Sequence, residues 1–233
     1  AVPYLADKFD APIIGTPFTI EVIKSILNED KITLRNKIMT LNSNSSYDIS
    51  KNIKVEFIHI THSTPQTVLV ALHTKYGTVL YANDFKLDMH PVLGKKPNFK
   101  RLGELGKENV IALIVESTYA KDAKKMPSES VAKEMLREAM METENKNSLI
   151  LVTTFSSHIA RLKSVIEFGK KLNRKVIFMG RSLAKYVKAA ENVGIVNFSR
   201  DVEMVKYGKQ IKRKLKKIGK EREKYVLAVT GHQ

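Results

Sequence analysis

Three residues of this sequence combine a metal-binding or proton-transferring side chain with a suggestive place at the end of an apolar run. They are His62 in Thr61-His62-Ser63-Thr64-Pro65, Asp84 in Asn83-Asp84-Phe85-Lys86-Leu87-Asp88, and Glu116 in Val115-Glu116-Ser117-Thr118-Tyr119-Ala120. A neutral imidazole and a carboxylate both ligate zinc or manganese, and the two oxygens of a carboxylate can bridge a pair of metal ions. Residue type alone leaves a plainer reading open, in which His62 is a core histidine hydrogen-bonded at a strand end and Asp84 caps a turn.

A second set suits anions. Ser156, Ser157, His158 and Arg161 stand where a strand gives way to a helix, and Gly180, Arg181 and Ser182 repeat the arrangement one strand later. The first turn of a helix has unpaired N–H groups and the positive end of the dipole, which together favour phosphate. Ordinary N-capping by Thr154, Ser156 or Ser182 accounts equally well for any one of these hydroxyls. From Lys206 to Lys224 there are ten Lys or Arg and two Glu, a net +8 that is half the charge of the chain. An Ile211-Leu215-Ile218 seam turns Lys212, Arg213 and Lys216 toward solvent, as a stripe able to pair with phosphates or simply as a solvated face.

The elements that must position these groups follow from apolar periodicity. Ile13-Ile14 reads as a strand leading into a helix with Thr16 as N-cap and Pro17 in the first turn. Lys31 to Leu41 reads as a charged strand region, set off by a turn over Asn42 to Ser46. Ile53 to Ile60, Thr67 to His73 and Thr78 to Ala82 read as strands, the last two joined through Gly77 as a hairpin. A loop from Pro91 to Lys107 precedes Val110 to Val115, a continuous apolar run expected to be a buried strand. From Ser128 the pattern alternates: helix to Glu144, strand Leu149 to Val152, helix to Leu172, strand Lys175 to Met179, helix to Asn192. A last helix is expected from Val202 to Gly219 and a buried strand from Tyr225 to Val229. The change of pattern places a domain boundary near residue 121, dividing the chain into 1–121 and 122–233. On this reading His62, Asp84, Glu116, Thr154, Arg181 and Gly231 all lie at or just after the C-terminal end of a strand, the edge at which α/β sheets bind ligands.

Composition narrows the class. Forty Lys and Arg against 24 Asp and Glu give +16, a balance that favours a polyanionic partner, nucleic acid before membrane. The absence of cysteine removes disulfides and thiolate metal sites, leaving His, Asp and Glu as ligands, and it fits a cytoplasmic protein. No apolar run approaches the ~20 residues of a membrane span. There is no Gly-rich dinucleotide or P-loop motif, which disfavours a nucleotide-binding α/β domain. Tryptophan is absent and no Phe or Tyr cluster resembles a base-stacking platform, so recognition through phosphate and backbone is expected.

The three segments around His62, Asp84 and Glu116 resemble consecutive signatures of the β-CASP nucleases of the metallo-β-lactamase fold. Thr153-Thr154-Phe155-Ser156-Ser157-His158-Ile159-Ala160-Arg161 and Met179-Gly180-Arg181-Ser182 resemble that family's RNA-contacting turns. Thr230-Gly231-His232-Gln233 resembles the start of its threonine-glycine-x-glutamine segment. The resemblance runs in order from about Ala1 to Gln233. Asp84-Phe85-Lys86 and the basic spacing after it look most like ribonuclease J, of archaeal type. Glu116-Ser117-Thr118-Tyr119 is shared with the cleavage-and-polyadenylation-type endonucleases. Asn83 departs from a usual Gly, and Gln66 from a common Asp.

The resemblance implies an α/β fold: a partial αββα metallo-β-lactamase sandwich with an inserted parallel α/β β-CASP domain. It implies two zinc ions, with manganese or magnesium as alternatives, for which His62 is a terminal ligand, Asp84 the bridge and Glu116 an acid beside the site. It implies a cytoplasmic ribonuclease, possible as a homodimer, acting 5′-to-3′ on single-stranded RNA with a 5′-monophosphate. A processing endonuclease of the same superfamily and a non-catalytic RNA-binding relative are the alternatives. The family's His-x-His-x-Asp-His motif is expected upstream of Ala1 and its last histidines beyond Gln233, so residues 1–233 alone are expected not to cleave RNA.

Overall fold

A computed structural model describes residues 2–231, and the chain divides into two compact units, Ala1–Pro127 and Ser128–Gln233.

The first unit opens with α1 (Val2–Lys8), β1 (Ile13–Gly15), α2 (Pro17–Glu29) and β2 (Ile38–Thr40). Pro17 supplies the fixed φ of a first helical turn, and α2 buries Phe18, Ile20 and Leu27. β1 and β2 pair in parallel across this helix. A five-stranded sheet follows, built from β3 (Ser45–Ser50), β4 (Ile53–His59), β5 (Val68–Thr74), β6 (Gly77–Ala82) and β7 (Val110–Val115), in that spatial order. The first four strands are antiparallel neighbours and β7 is parallel to β6. The β5–β6 turn needs Gly77: its φ is +140°, and a Cβ there would lie 2.6 Å from Ile111 Cγ2.

One face of this sheet carries Ile58, Ile60, Leu69, Ala71 and Ala82, closed by Leu102 and Leu105 of α3 (Phe99–Leu105). Glu56 on the same face is tied to that helix by Arg101, whose Nε and Nη2 donate to its two oxygens at 2.6 and 2.9 Å. His73 lies 2.8 Å from Glu56 on the other side. The Arg101 hydrogen bonds, and to a lesser extent His73, hold the Glu56 carboxyl below its ordinary value.

The second unit is a parallel α/β layer. Its elements are α4 (Glu129–Met141), β8 (Ile150–Thr153), α5 (Ile159–Lys171), β9 (Lys175–Met179), α6 (Arg181–Asn192), β10 (Val202–Val205), α7 (Gly208–Ile218) and β11 (Tyr225–Val229). The strands lie in the order β10-β9-β11-β8, all parallel. Strand alternation splits the core in two. Ile177, Met179, Val205, Tyr225 and Leu227 pack with Ile218 and Ile211 of α7 on one face. Val176, Phe178, Val226 and Ala228 point to the other, where α5 contributes the buried Leu162, Val165, Ile166 and Phe168.

Several expectations need correcting. Val110 to Val115 is a strand but not a buried one. It forms the sheet's edge, and its large side chains are 36–60% exposed, because within this unit neither of its faces is packed over. Val202 to Val205 is not the start of the last helix but a strand paired with β9, and the helix begins at Gly208. The loop from Pro91 to Lys107 contains α3, N-capped by Asn98, whose side chain accepts the Arg101 N–H. The Asn42–Ser46 turn is shorter than expected, since Ser45 and Ser46 already pair with Phe57 and Glu56. Of the Lys31–Leu41 region only Ile38–Thr40 is strand. His232 and Gln233 of the threonine-glycine-x-glutamine segment lie outside the described residues.

Candidate functional site

Strand direction gathers the three candidate ligands of the first unit. β4 is antiparallel to β5 and β5 to β6, and β7 is parallel to β6, so β4, β6 and β7 all end on one edge. His62, Asp84 and Glu116 follow those ends by three, two and one residues.

The loops that carry them are pinned to one another. Thr61 forms an antiparallel bridge with Lys86, whose N–H donates to the Thr61 carbonyl at 2.7 Å. The buried Thr61 hydroxyl donates to the Lys86 carbonyl and accepts the Asp88 N–H at 3.0 Å. This fixes the loop of His62 against the loop of Asp84. The Glu116 N–H donates to Ala82 O at 3.2 Å, so the third segment is registered on the second. Gln66, at a positive φ of 57°, reaches out of the His62 loop to accept the Phe18 N–H of the α2 first turn at 2.9 Å. The side chain thus satisfies one of the helix's orphan donors and anchors the loop.

His62 and Asp84 are solvent-exposed and Glu116 is half-buried. Ser63 Oγ lies 3.2 Å from His62 Nδ1. The Thr118 N–H donates to Glu116 Oε2 at 2.9 Å. Hydrogen bonds from the Thr118 backbone and hydroxyl, with a smaller contribution from the charge of His62, hold the Glu116 carboxyl below its ordinary value. Among the described residues no three His, Asp or Glu side chains stand close enough together to hold a metal ion. The donor chemistry of His62 and Asp84 fits part of a zinc or manganese site, and the described residues gather too few ligands for a whole one.

In the second unit, parallel strands bring the anion-binding candidates to one edge. Ser156, Ser157 and His158 form the turn between β8 and α5, and Gly180, Arg181 and Ser182 open α6 after β9. β11 lies between these two strands and ends near Gly231. Gly180 has a φ of +126°, and no atom lies within 4 Å of a Cβ built there, so the backbone at the start of α6 is open to a ligand. Arg181 and Ser182 are exposed, Ser157 and His158 half-buried, and Ser156 buried. Lys212, Arg213 and Lys216 are all exposed on α7, as the apolar seam requires.

Arg161 does not point its whole guanidinium at the turn. Its Nε and Nη2 donate to the two oxygens of Glu129 at 2.7 and 3.0 Å, and His158 Nε2 lies 3.4 Å from Glu129 Oε2. Glu129 is 7% exposed. Burial pushes its carboxyl up, but His158 and Arg161 more than offset this and bring it down to about 2. His158 Nδ1 is buried without a hydrogen-bond partner. Arg161 is therefore a strut between α4 and α5 as much as a cation for a ligand. Sequence reading missed Glu129, which is 29 and 32 residues from its partners and looks locally like any acid in a first helical turn behind Ser128.

Residues 147–233 match the family model described as the beta-CASP domain of ribonuclease J. Ribonuclease J of Methanocaldococcus jannaschii is 43% identical over 205 residues, which cover 88% of this chain and 46% of that protein. Ribonuclease J of Pyrococcus abyssi is 43% identical over 198 residues, 84% of this chain and 44% of that protein. Ribonuclease J 2 of Staphylococcus aureus is 32% identical over 202 residues, 87% of this chain and 36% of that protein. The chain thus spans less than half the length of these relatives. A solved structure of a protein of unknown function from Enterococcus faecalis V583 shares the fold, with a TM-score of 0.56 and 15% identity over 95% of this chain and 64% of that one. The ordered motifs at the strand ends, the match of residues 147–233 and the identity along most of the chain agree that this chain is ribonuclease J-like, similar over most of its length to part of those proteins and matching their β-CASP domain at residues 147–233.

Proposed function

We propose that this chain is the part of a metal-dependent ribonuclease that supplies half of a dinuclear metal site and most of an RNA-holding unit. The observation that carries the reading is the convergence of His62, Asp84 and Glu116 on one sheet edge, with their loops cross-braced through Thr61 and Ala82. On this reading the first unit belongs to an αββα sandwich and the second is the β-CASP insertion. His62 and Asp84 would be the residues of this chain that hold the two zinc ions. When bound, such ions supply an activated hydroxide and neutralise charge developing on the phosphodiester. Glu116, held by Thr118, sets the field next to His62 and so keeps the imidazole oriented. The N-terminal turns of α5 and α6 receive a 5′-phosphate through backbone N–H groups, with His158, Arg181 and Ser182 beside them. Recognition through phosphate fits a sequence-tolerant enzyme acting 5′-to-3′ on single-stranded RNA.

The test is a chimera in which this chain replaces the matching segment of the Methanocaldococcus jannaschii ribonuclease J, assayed on end-labelled RNA with zinc or manganese. The expected result is degradation from 5′-monophosphorylated ends, reduced to background by His62→Ala or Asp84→Ala and by about 10–100-fold by Glu116→Gln. Residues 1–233 alone are expected to be inactive. Full activity of the Asp84→Ala chimera would refute the ligand assignment, and zinc-dependent cleavage by the isolated chain would refute the division of the site.

A further inference from the structure

Beside the second unit's sheet lies an open groove of about 440 Å³, which at Val205 adjoins Gly180 of the phosphate-binding turns. One wall is β10, the outermost strand, through Glu203, Met204 and Val205, and the other is the flank of α7, through Gln210, Arg213, Lys214 and Lys217. The helical residues fall at i, i+3, i+4 and i+7, so they form one ridge along the helix. The charges on that ridge have different fates. Lys214 donates to Glu203 at 2.6 Å and sits over the Tyr225 ring at 5.7 Å, so its charge is committed to the fold. Arg213 and Lys217 are both exposed and, among the described residues, neither forms a salt bridge, although the Lys217 charge helps to lower the Glu221 carboxyl.

The strand wall adds directional donors. Val205 O accepts the Gly180 N–H at 2.9 Å, which turns the peptide groups of Val205 toward β9. In a parallel ladder the next residue presents its N–H and C=O to the opposite side. Met204 therefore offers a main-chain N–H and C=O to the groove, since β10 has no neighbour on that side. A guanidinium, an ammonium, an amide and a backbone N–H facing one trough are complementary to a chain of phosphates with polar sugar edges.

We propose that this groove is a second RNA-binding site, holding the phosphodiester backbone of single-stranded RNA along the β10–α7 flank that adjoins the 5′-phosphate turn at Gly180. Arg213 and Lys217 supply the charge, Gln210 and the Met204 peptide the hydrogen bonds, and Glu203 with Lys214 the rigid floor. The inference rests on the reading of the second unit as an RNA-holding domain and extends it to a surface with no part in cleavage. An acidic extended peptide is the competing occupant of such an edge, and the test separates the two.

The experiment uses residues 1–233 and a 3′-labelled oligouridylate with a 5′-hydroxyl, followed by fluorescence anisotropy across a KCl series. The Arg213→Gln/Lys217→Gln variant is compared with wild type and with Lys51→Gln/Lys54→Gln in the first unit, thermal midpoints confirming that each is folded. Two lost single-strand contacts are expected to make the slope of log affinity against log salt shallower by about 1.4. The groove variant then loses about sevenfold less affinity than wild type between 100 and 400 mM KCl, the first-unit variant behaves as wild type, and the Met204 amide resonance moves on adding RNA. RNA binding with an unchanged slope in the groove variant would overturn the site while leaving the RNA-holding reading intact. No RNA binding by wild type at 50 mM KCl would overturn that reading and the groove with it. A Met204 shift produced by polyglutamate at lower concentration than by oligouridylate would assign the groove to an acidic peptide and overturn RNA as its occupant.

Discussion

Replacing Glu129 by Gln removes the charge at the centre of the second unit's most enclosed ion cluster, and its cost should depend on pH in a way that no neighbouring exposed carboxylate can imitate. Glu129 receives two hydrogen bonds from Arg161 and one close approach from His158, and its carboxyl is lowered from 4.5 to about 2. At 7% exposure solvent screens it little, so the shift corresponds to roughly 3 kcal/mol of stabilisation of the folded charged form. The sign follows from a depressed folded pKa: the stabilisation is complete above the unfolded value near 4.5 and is lost as pH falls through the folded value near 2. At pH 3 about 2 kcal/mol of it should be gone. The assay is native-state hydrogen exchange at the α5 amides of Leu162 and Val165, in wild type and Glu129→Gln, between pH 7 and pH 3. The difference in opening free energy should be about 3 kcal/mol at neutral pH and shrink toward pH 3. A difference that stays constant across that range would refute the argument, because it would mean that Glu129 is not held ionised by Arg161 and His158.

Two further outcomes test the fold. Gly169 on α5 has no room for a methyl, since a Cβ there would lie 2.4 Å from Val176 Cγ2. Gly169→Ala should cost about 1–3 kcal/mol in urea unfolding, with part of the loss recovered in the Gly169→Ala/Val176→Ala pair. If the double variant is no better than the single one, overpacking against Val176 is the wrong cause. On β7, Ile114 is 52% exposed, so Ile114→Lys should change stability within about 0.5 kcal/mol and reduce self-association seen by light scattering. A loss well above about 1 kcal/mol would show that this strand face is covered.

Where the chain carries strong local punctuation, its elements could be read directly. Pro17 and the residues behind it announce α2, Gly77 the β5–β6 turn, and the alternation from Ser128 the parallel unit. Val202 to Val205 illustrates the opposite case. Its apolar residues continue the spacing of the α7 seam, so a helix is the natural reading, and only pairing with β9 makes it a strand. That error hid a sheet edge and with it the groove beside α7. Val110 to Val115 was legible as a strand but not as an exposed one, because apolar composition reports what a segment can bury and the packing of neighbours reports what it does bury.

Residue chemistry by itself determined that His62 and Asp84 are of the right type for a metal, that any such metal lacks thiolates, and that the surface favours a polyanion. Each follows from side chains counted or spaced along the chain. Only the tertiary structure decided that β4, β6 and β7 run the same way and deliver His62, Asp84 and Glu116 to one edge. Only it decided that Arg161 is braced by a glutamate 32 residues away, and that Lys214 is committed to Glu203 while Arg213 and Lys217 are not. Strand direction, burial and charge pairing depend on distances between segments remote in sequence, and periodicity along the chain carries no record of them.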